Sequence, residues 1–202
     1  MKIKEKEKSV LNDFAKATVK HYYDLDGTLS SLNSTFDFVH GFLRYKKKYG
    51  RLFLGRAIAI FLIYTKNYHP IKSRRLLIKI YFKGQKKADL ENYFNKVYHP
   101  IFMESLTSLG QFLIKDKSSA DVLLTGCTEV PAQQIAALFG FKKVICTEFL
   151  FKKGSISGIK TDTYGNFKVQ FIKEEKEKMI YYTDDLASEG ELIPYMDKIV
   201  EV

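Results

Sequence analysis

Strand signals in this chain stop after residue 26 and resume only near residue 120. The short run "HYYDLD" (21–26) reads as a strand, "ADVLLTG" (120–126) is a clearer one, and "KKVICTEF" (142–149) and "MIYYTDD" (179–185) follow. Between them "VPAQQIAALFG" (130–140) has helical spacing and closes on Gly140, a residue suited to a left-handed C-terminal cap. "KGSISGIK" (153–160) alternates between turn glycines like a hairpin, and a short helix and a last strand, "DKIVEV", end the chain. Strands alternating with helices call for a parallel α/β sheet of Rossmann-like type. The long gap is of another kind. From about Thr35 to Leu113, stretches such as "FDFVHGFLRYKKKYG" and "LENYFNKVY" carry apolar residues at i, i+3 and i+4, the mark of amphipathic helices. The expected organisation is a charged N-terminal extension (1–19), an α/β core (20–34 and 116–202) and an all-helical insertion (35–115) after the first strand.

Charge divides along the same lines. Residues 30–115 hold 16 Lys and Arg against 4 acids, a net of +12, while the rest holds 17 basic and 19 acidic residues, a net of −2. A basic block of this kind suits a surface that meets phosphates, whether of nucleic acid, anionic lipid or a small phosphorylated molecule. Within it, "LFLGRAIAIFLIY" (52–64) is the most apolar run, interrupted by Arg56. As a helix it would reach roughly 20 Å, short of the ~30 Å hydrocarbon core, so it is not read as a membrane span. It reads as a helix buried in the insertion, with an interfacial helix flanked by "KKKYGR" as the alternative. "KNYHPI" (66–71) and "KVYHPI" (96–101) echo each other, each proline suited to open a helix at its first position. Cys127 and Cys146 are too few for a disulfide scaffold, and no apolar segment follows the charged N-terminal stretch. A cytoplasmic setting, membrane-peripheral through the basic block, is expected.

At the end of the first strand stand Asp24 and Asp26, one residue apart. In extended chain, residues i and i+2 point the same way, and the carboxyl end of a parallel strand is where α/β folds bind ligands. Two carboxylates at that range need a cation or a shared proton. A calcium loop also begins D-x-D but wants Gly at its sixth position and Glu at its twelfth; here those are Leu29 and Thr35. The alternative division of labour is chemical, with one carboxylate as nucleophile and the other handling protons.

Asp24-Leu25-Asp26-Gly27-Thr28-Leu29 resembles the first signature of the haloacid dehalogenase superfamily of phosphotransferases. The resemblance implies three further signatures, and candidates occur in order. Thr125 followed by Gly126, in "DVLLTGCT", matches the strand ending in Ser or Thr that grips a phosphoryl group just before a helix N-terminus. Lys168, after the turn glycine of "TYGNFKVQF", matches the basic residue that neutralises phosphoryl and nucleophile. Asp184 and Asp185, in "IYYTDDLASEGEL", match the acid pair for magnesium. A helical cap inserted between the first two signatures is similar to the phosphoserine phosphatase-like branch. More narrowly, the run from "YFKGQ" to "YGNFKV" resembles the small hydrolases related to phosphatidylglycerophosphatase C. One position departs from the branch: a second acid usually stands four residues after the first in the last signature, and here that place is Ser188, which leaves Asp185 or Glu189.

The resemblance implies a magnesium-dependent phosphomonoester hydrolase. Asp24 would be the nucleophile and Asp26 the proton donor and acceptor, while Thr125, Gly126 and Lys168 would hold the phosphoryl oxygens. Mg2+ would be held by Asp24, the Asp26 carbonyl and Asp184, beside Asp185. With few acids in the insertion to receive an ammonium group, an anionic phosphorylated metabolite or a lipid phosphate is the expected substrate. A cysteine phosphatase needs Arg six positions after its Cys, where Cys127 and Cys146 have Gln133 and Lys152. The competing class is a catalytically weak binding protein whose basic, aromatic-rich insertion ("RYKKKYGRLF") holds nucleic acid or anionic membrane. Such a binder has no use for four ordered signatures, and nucleic acid is not the expected partner.

Overall fold

The computed structural model describes residues 19–115, 121–175 and 177–202. The charged extension read over residues 1–19 lies, but for Val19, outside the described residues. Six strands form one sheet in the order β4-β3-β2-β1-β5-β6: β1 Val19–Tyr23, β2 Val122–Thr128, β3 Lys143–Lys152, β4 Ser155–Thr161, β5 Lys178–Thr183 and β6 Lys198–Glu201. All neighbours are parallel except β3 and β4, the antiparallel hairpin expected around Gly154. β1 is central: Tyr22 sits opposite Val122 of β2 and Tyr181 of β5. Its last three residues, His21, Tyr22 and Tyr23, are buried, as a parallel strand covered on both faces requires. Tyr23 stacks on Tyr182 of β5 with ring centroids 4.6 Å apart.

Between β1 and β2 the chain is helical: α1 Ser34–Tyr45, α2 Tyr49–Tyr64, α3 Pro70–Phe82, α4 Lys87–Tyr93, a π turn Phe94–Tyr98, α5 His99–Glu104 and α6 Ser108–Lys115. After β2 comes α7, Glu129–Phe139, closed by Gly140 in the left-handed conformation (φ 75°) as its position in the sequence predicts. The two prolines of the echoed motif behave differently. Pro70 opens α3, with His69 as N-cap and Ser73 Oγ accepting from the His69 N–H. Pro100 instead lies inside continuous helix, directly after the π turn that accommodates the missing N–H.

One apolar cluster runs from the sheet into these helices, joining Tyr23 and Leu123 to Phe38, Phe42, Tyr93, Phe94 and Phe102. The hairpin reaches the same helices: Gly84 N–H donates to Ile156 O at 2.7 Å, Ile156 N–H to Gln85 O at 2.9 Å, and Phe82 meets Phe149. The expectation of a buried helix over 52–64 is overturned. Of α2 only Leu52 and Gly55 are buried, while Phe53, Leu54, Ile60, Phe61, Ile63 and Tyr64 face outward. Among the described residues no helix is long and apolar enough to cross a membrane.

Candidate active site

A cavity of about 310 Å³ opens at the carboxyl ends of β1, β2 and β5, the position an open parallel sheet reserves for ligands. Every residue singled out from the sequence lines it: Asp24, Asp26, Thr125, Gly126, Lys168, Asp184 and Asp185, with Ser188 and Glu189. Its opposite wall comes from the helical insertion, through Thr35, Phe36, Pro70, Arg74 and Leu77 of the helices and Tyr68 of the connection between α2 and α3.

The two aspartates reach the cavity by a different route from the one expected. β1 ends at Tyr23, so strand alternation is not what aligns them. Asp24 is held at the strand end by its N–H, which donates to Tyr182 O at 2.9 Å. The chain then turns: Leu29 N–H donates to Leu25 O and Gly27 N–H to Ser30 O. Gly27 has φ 78°, a conformation that a side chain strains. Asp26 Oδ1 accepts from Ser34 N–H at 2.8 Å, at the start of α1. Burial pushes the Asp26 carboxyl up to about 6, against the pull of the Ser34 N–H; the charge of Asp24 adds to the rise and Arg74 opposes it.

Lys168, on the 3-10 turn Gly165–Phe171, is 1% exposed. Its Nζ lies 3.0 Å from Asp24 Oδ2, donates to Tyr181 Oη at 2.8 Å and makes a close ion pair with Glu189. Burial works against the ammonium, but Asp24 and Glu189 outweigh it and raise its pKa above the ordinary lysine value. Glu189 is buried too, and Thr183 Oγ1 donates to its second oxygen at 2.9 Å. Of the two acids left open by Ser188, Glu189 is therefore committed to Lys168, while Asp185 Oδ1 accepts from Ser188 N–H at 3.1 Å.

Asp184 stands over the first loop, where Thr28 Oγ1 donates to it at 3.2 Å. A Cβ on residue 27 would come within 1.8 Å of its carboxylate, so Gly27 also makes room for Asp184. On the far side Thr125 is buried, its Oγ1 accepting from Cys127 N–H at 3.0 Å. The helix read over 130–140 follows as α7 from Glu129, and β2, with an irregular register between Leu124 and Thr128, fills the residues between.

Neither Arg74 nor Asp162 stood out in the sequence. Arg74 of α3 is buried, ion-paired with Asp162 (3.3 Å), donating to Gly126 O and lying 4.7 Å from the Tyr164 ring centroid. Asp162 also pairs with Arg75 (2.5 Å) and accepts from Tyr164 N–H. Fourteen basic residues and no acid lie between Asp37 and Asp89, and nothing local separates Arg74 from the others.

Oxygen donors are the right chemistry for a hard divalent cation. Among the described residues no three His, Cys, Asp or Glu side chains form a metal-binding group. Asp24, Asp26 and Asp184 line the same cavity and could offer oxygens of the sparse kind that suits Mg2+, which keeps waters and takes one or two carboxylates.

The sequence pattern of the family described as haloacid dehalogenase-like hydrolase matches residues 22–187. Among solved structures, the chain is similar to a protein of unknown function from Bordetella pertussis Tohama I: 18% identity, 92% of this chain and 90% of that one covered, TM-score 0.69. A phosphoserine phosphohydrolase-like protein from Francisella tularensis subsp. tularensis SCHU S4 has 18% identity, coverage of 90% and 86%, and TM-score 0.62. A phospho-aspartyl intermediate analogue of phosphoserine phosphatase has 13% identity, coverage of 93% and 94%, and TM-score 0.56. Among curated proteins none matches this chain.

Proposed function

The chain belongs to the haloacid dehalogenase-like hydrolase family, and on that premise we propose that it is a magnesium-dependent phosphomonoesterase working through an aspartyl-phosphate on Asp24. The observation that carries the reading is the Lys168 ammonium, 3.0 Å from the Asp24 carboxylate and backed by Glu189 inside a cavity that Asp26 and Asp184 also line. A buried cation fixed beside a carboxylate orients the nucleophile and stabilises charge on an arriving phosphoryl group. In the first step an Asp24 oxygen attacks phosphorus, the ester P–O bond breaks, and Asp26 gives its proton to the leaving oxygen. In the second, water attacks phosphorus as Asp26 takes its proton, the bond to Asp24 breaks, and inorganic phosphate leaves. A carboxyl titrating near 6 can serve both halves. Thr125 and Gly126 would hold phosphoryl oxygens. Mg2+ would be held by Asp24, Asp184 and the Asp26 carbonyl, beside Asp185, and would supply positive charge between the carboxylates and the phosphoryl oxygens.

Residues 35–115 act as a cap over the site in this reading. The cavity wall they contribute carries a cation, Arg74, and no carboxylate. That supports an anionic phosphorylated metabolite or a lipid phosphate over a substrate with a free ammonium, in keeping with the resemblance to phosphatidylglycerophosphatase C-type hydrolases. Steady-state assays with an aryl phosphate, with and without Mg2+ and with Asp24→Asn, test the chemistry: loss of turnover in both controls is expected. Turnover of phosphoserine above that of a short-chain lipid phosphate would reverse the substrate assignment.

A further inference from the structure

A helix that is apolar on every side belongs in a core, in a membrane or against a partner. α2 (Tyr49–Tyr64) carries apolar residues on every side, broken by Arg51 and Arg56, yet only a narrow seam of it is covered. Gly55 lets it press on the Tyr81 ring of α3, where a Cβ would come within 2.4 Å of the ring and its hydroxyl, so the helix is firmly seated through its inner face. Its outer face is Phe53 (75% exposed), Leu54, Ile60, Phe61 (63%), Ile63 and Tyr64 (85%). Exposed cations accompany this face along the chain: Lys47 before the helix, Arg56 within it and Lys66 after it.

The geometry points to an anionic lipid bilayer as the partner of this face, with α2 lying in the bilayer interface and the surrounding lysines and arginines on the lipid headgroups. Charge decides the occupant. No acid occurs between Asp37 and Asp89 against fourteen Lys and Arg, so two copies meeting on α2 would bring like charges together with nothing on the face to pair them. An anionic headgroup layer neutralises the same residues and attracts them from a distance. Nucleic acid has the charge but no use for an aliphatic face of Leu54, Ile60 and Ile63. Sixteen helical residues span about 24 Å, too short to cross a ~30 Å hydrocarbon layer, and suited to lying in its surface. Tyr49 and Tyr64 close the two ends of the helix with amphipathic rings of the kind that settle at headgroup depth. Tyr68, four residues beyond α2, lines the cavity, so the chain leaving the docking helix forms part of the cavity wall. To that extent the inference deepens the lipid-phosphate reading and rests on it; the docking itself does not.

The test uses the whole chain with phosphatidylcholine vesicles, with and without phosphatidylglycerol, in co-sedimentation at rising salt. Binding only to the anionic vesicles, weakened by salt, is expected. F53S/F61S should lower the partition at least about tenfold, since each Phe loses the apolar burial that the interface gives it. K47E/K66E should lower it on anionic vesicles through charge alone. Both variants should turn over a soluble aryl phosphate at the wild-type rate, which also reports that they are folded. Equal binding to neutral vesicles, no binding at all, or a dimer that F53S/F61S converts to monomer each overturns the proposal. Aryl phosphate turnover without vesicle binding removes the docking and leaves the phosphatase; vesicle binding without turnover does the reverse.

Discussion

Gly27 and Asp184, 157 residues apart in the sequence, occupy one another's space: a Cβ on residue 27 would sit 1.8 Å from a carboxylate oxygen of Asp184. The glycine of the first loop and the acid at the end of β5 are therefore a single fitted pair. Gly27→Ala should cost about 2 kcal/mol or more in denaturant unfolding, from strain at φ 78° plus the clash. In the double variant with Asp184→Ala the clash is gone, so the summed cost should exceed the measured one. Additive costs would show that the pair does not touch. Turnover should be lost in all three proteins.

Lys168 is a buried cation between two buried or half-buried acids. Lys168→Met leaves Glu189 without its counter-charge, and breaking a buried pair in this way costs about 3–5 kcal/mol. Adding Glu189→Gln should recover most of that stability and none of the turnover. Recovery of turnover in the double variant would mean that Lys168 serves only to neutralise Glu189.

Asp26 gives a pH dependence of definite sign. Its folded value, about 6, lies above the ordinary 3.8. The protonated form is thus favoured by folding, its contribution is full below pH ~4, and it is lost as pH rises through about 6. In metal-free protein Asp26→Asn should therefore be the more stable at pH 8, by up to roughly 3 kcal/mol, and equal to wild type near pH 4. Thermal unfolding in chelator at the two pH values checks this. In the active enzyme, kcat/KM for an alkyl phosphomonoester should fall above pH ~6, whereas an aryl phosphate, whose leaving group needs little protonation, should respond less. A parallel fall for both would move the acid role elsewhere.

Arg74 stands in the cavity wall, fixed by Asp162 and by Gly126 O. Arg74→Ala should raise KM for an anionic phosphomonoester about tenfold while lowering kcat less, the mark of lost ground-state binding. Asp162→Asn, which loosens both Arg74 and Arg75, should raise KM in the same direction. A pure kcat effect in both would place Arg74 in the chemistry instead.

Much of this molecule is written locally. Apolar periodicity and turn glycines mark the strands, α7 and its Gly140 cap, and the hairpin at Gly154. The break in strand signals places the helices between β1 and β2, and the resemblance to the haloacid dehalogenase signatures singles out Asp24, Asp26, Thr125, Gly126, Lys168, Asp184 and Asp185, which the fold gathers in one cavity. What the tertiary structure alone decided concerns charges and faces whose partners are distant in the chain. Lys168 holds Glu189 from 21 residues away, and Arg74 holds Asp162 from 88. Ser188 leaves Asp185 and Glu189 equivalent in the sequence; only burial beside Lys168 separates them. The apolar run of α2 reads as a buried helix in the sequence, because periodicity reports which sides of a helix carry apolar residues, and this one carries them on all sides. Whether such a helix is covered depends on what the rest of the chain brings against it, and here that is little more than the seam at Leu52 and Gly55.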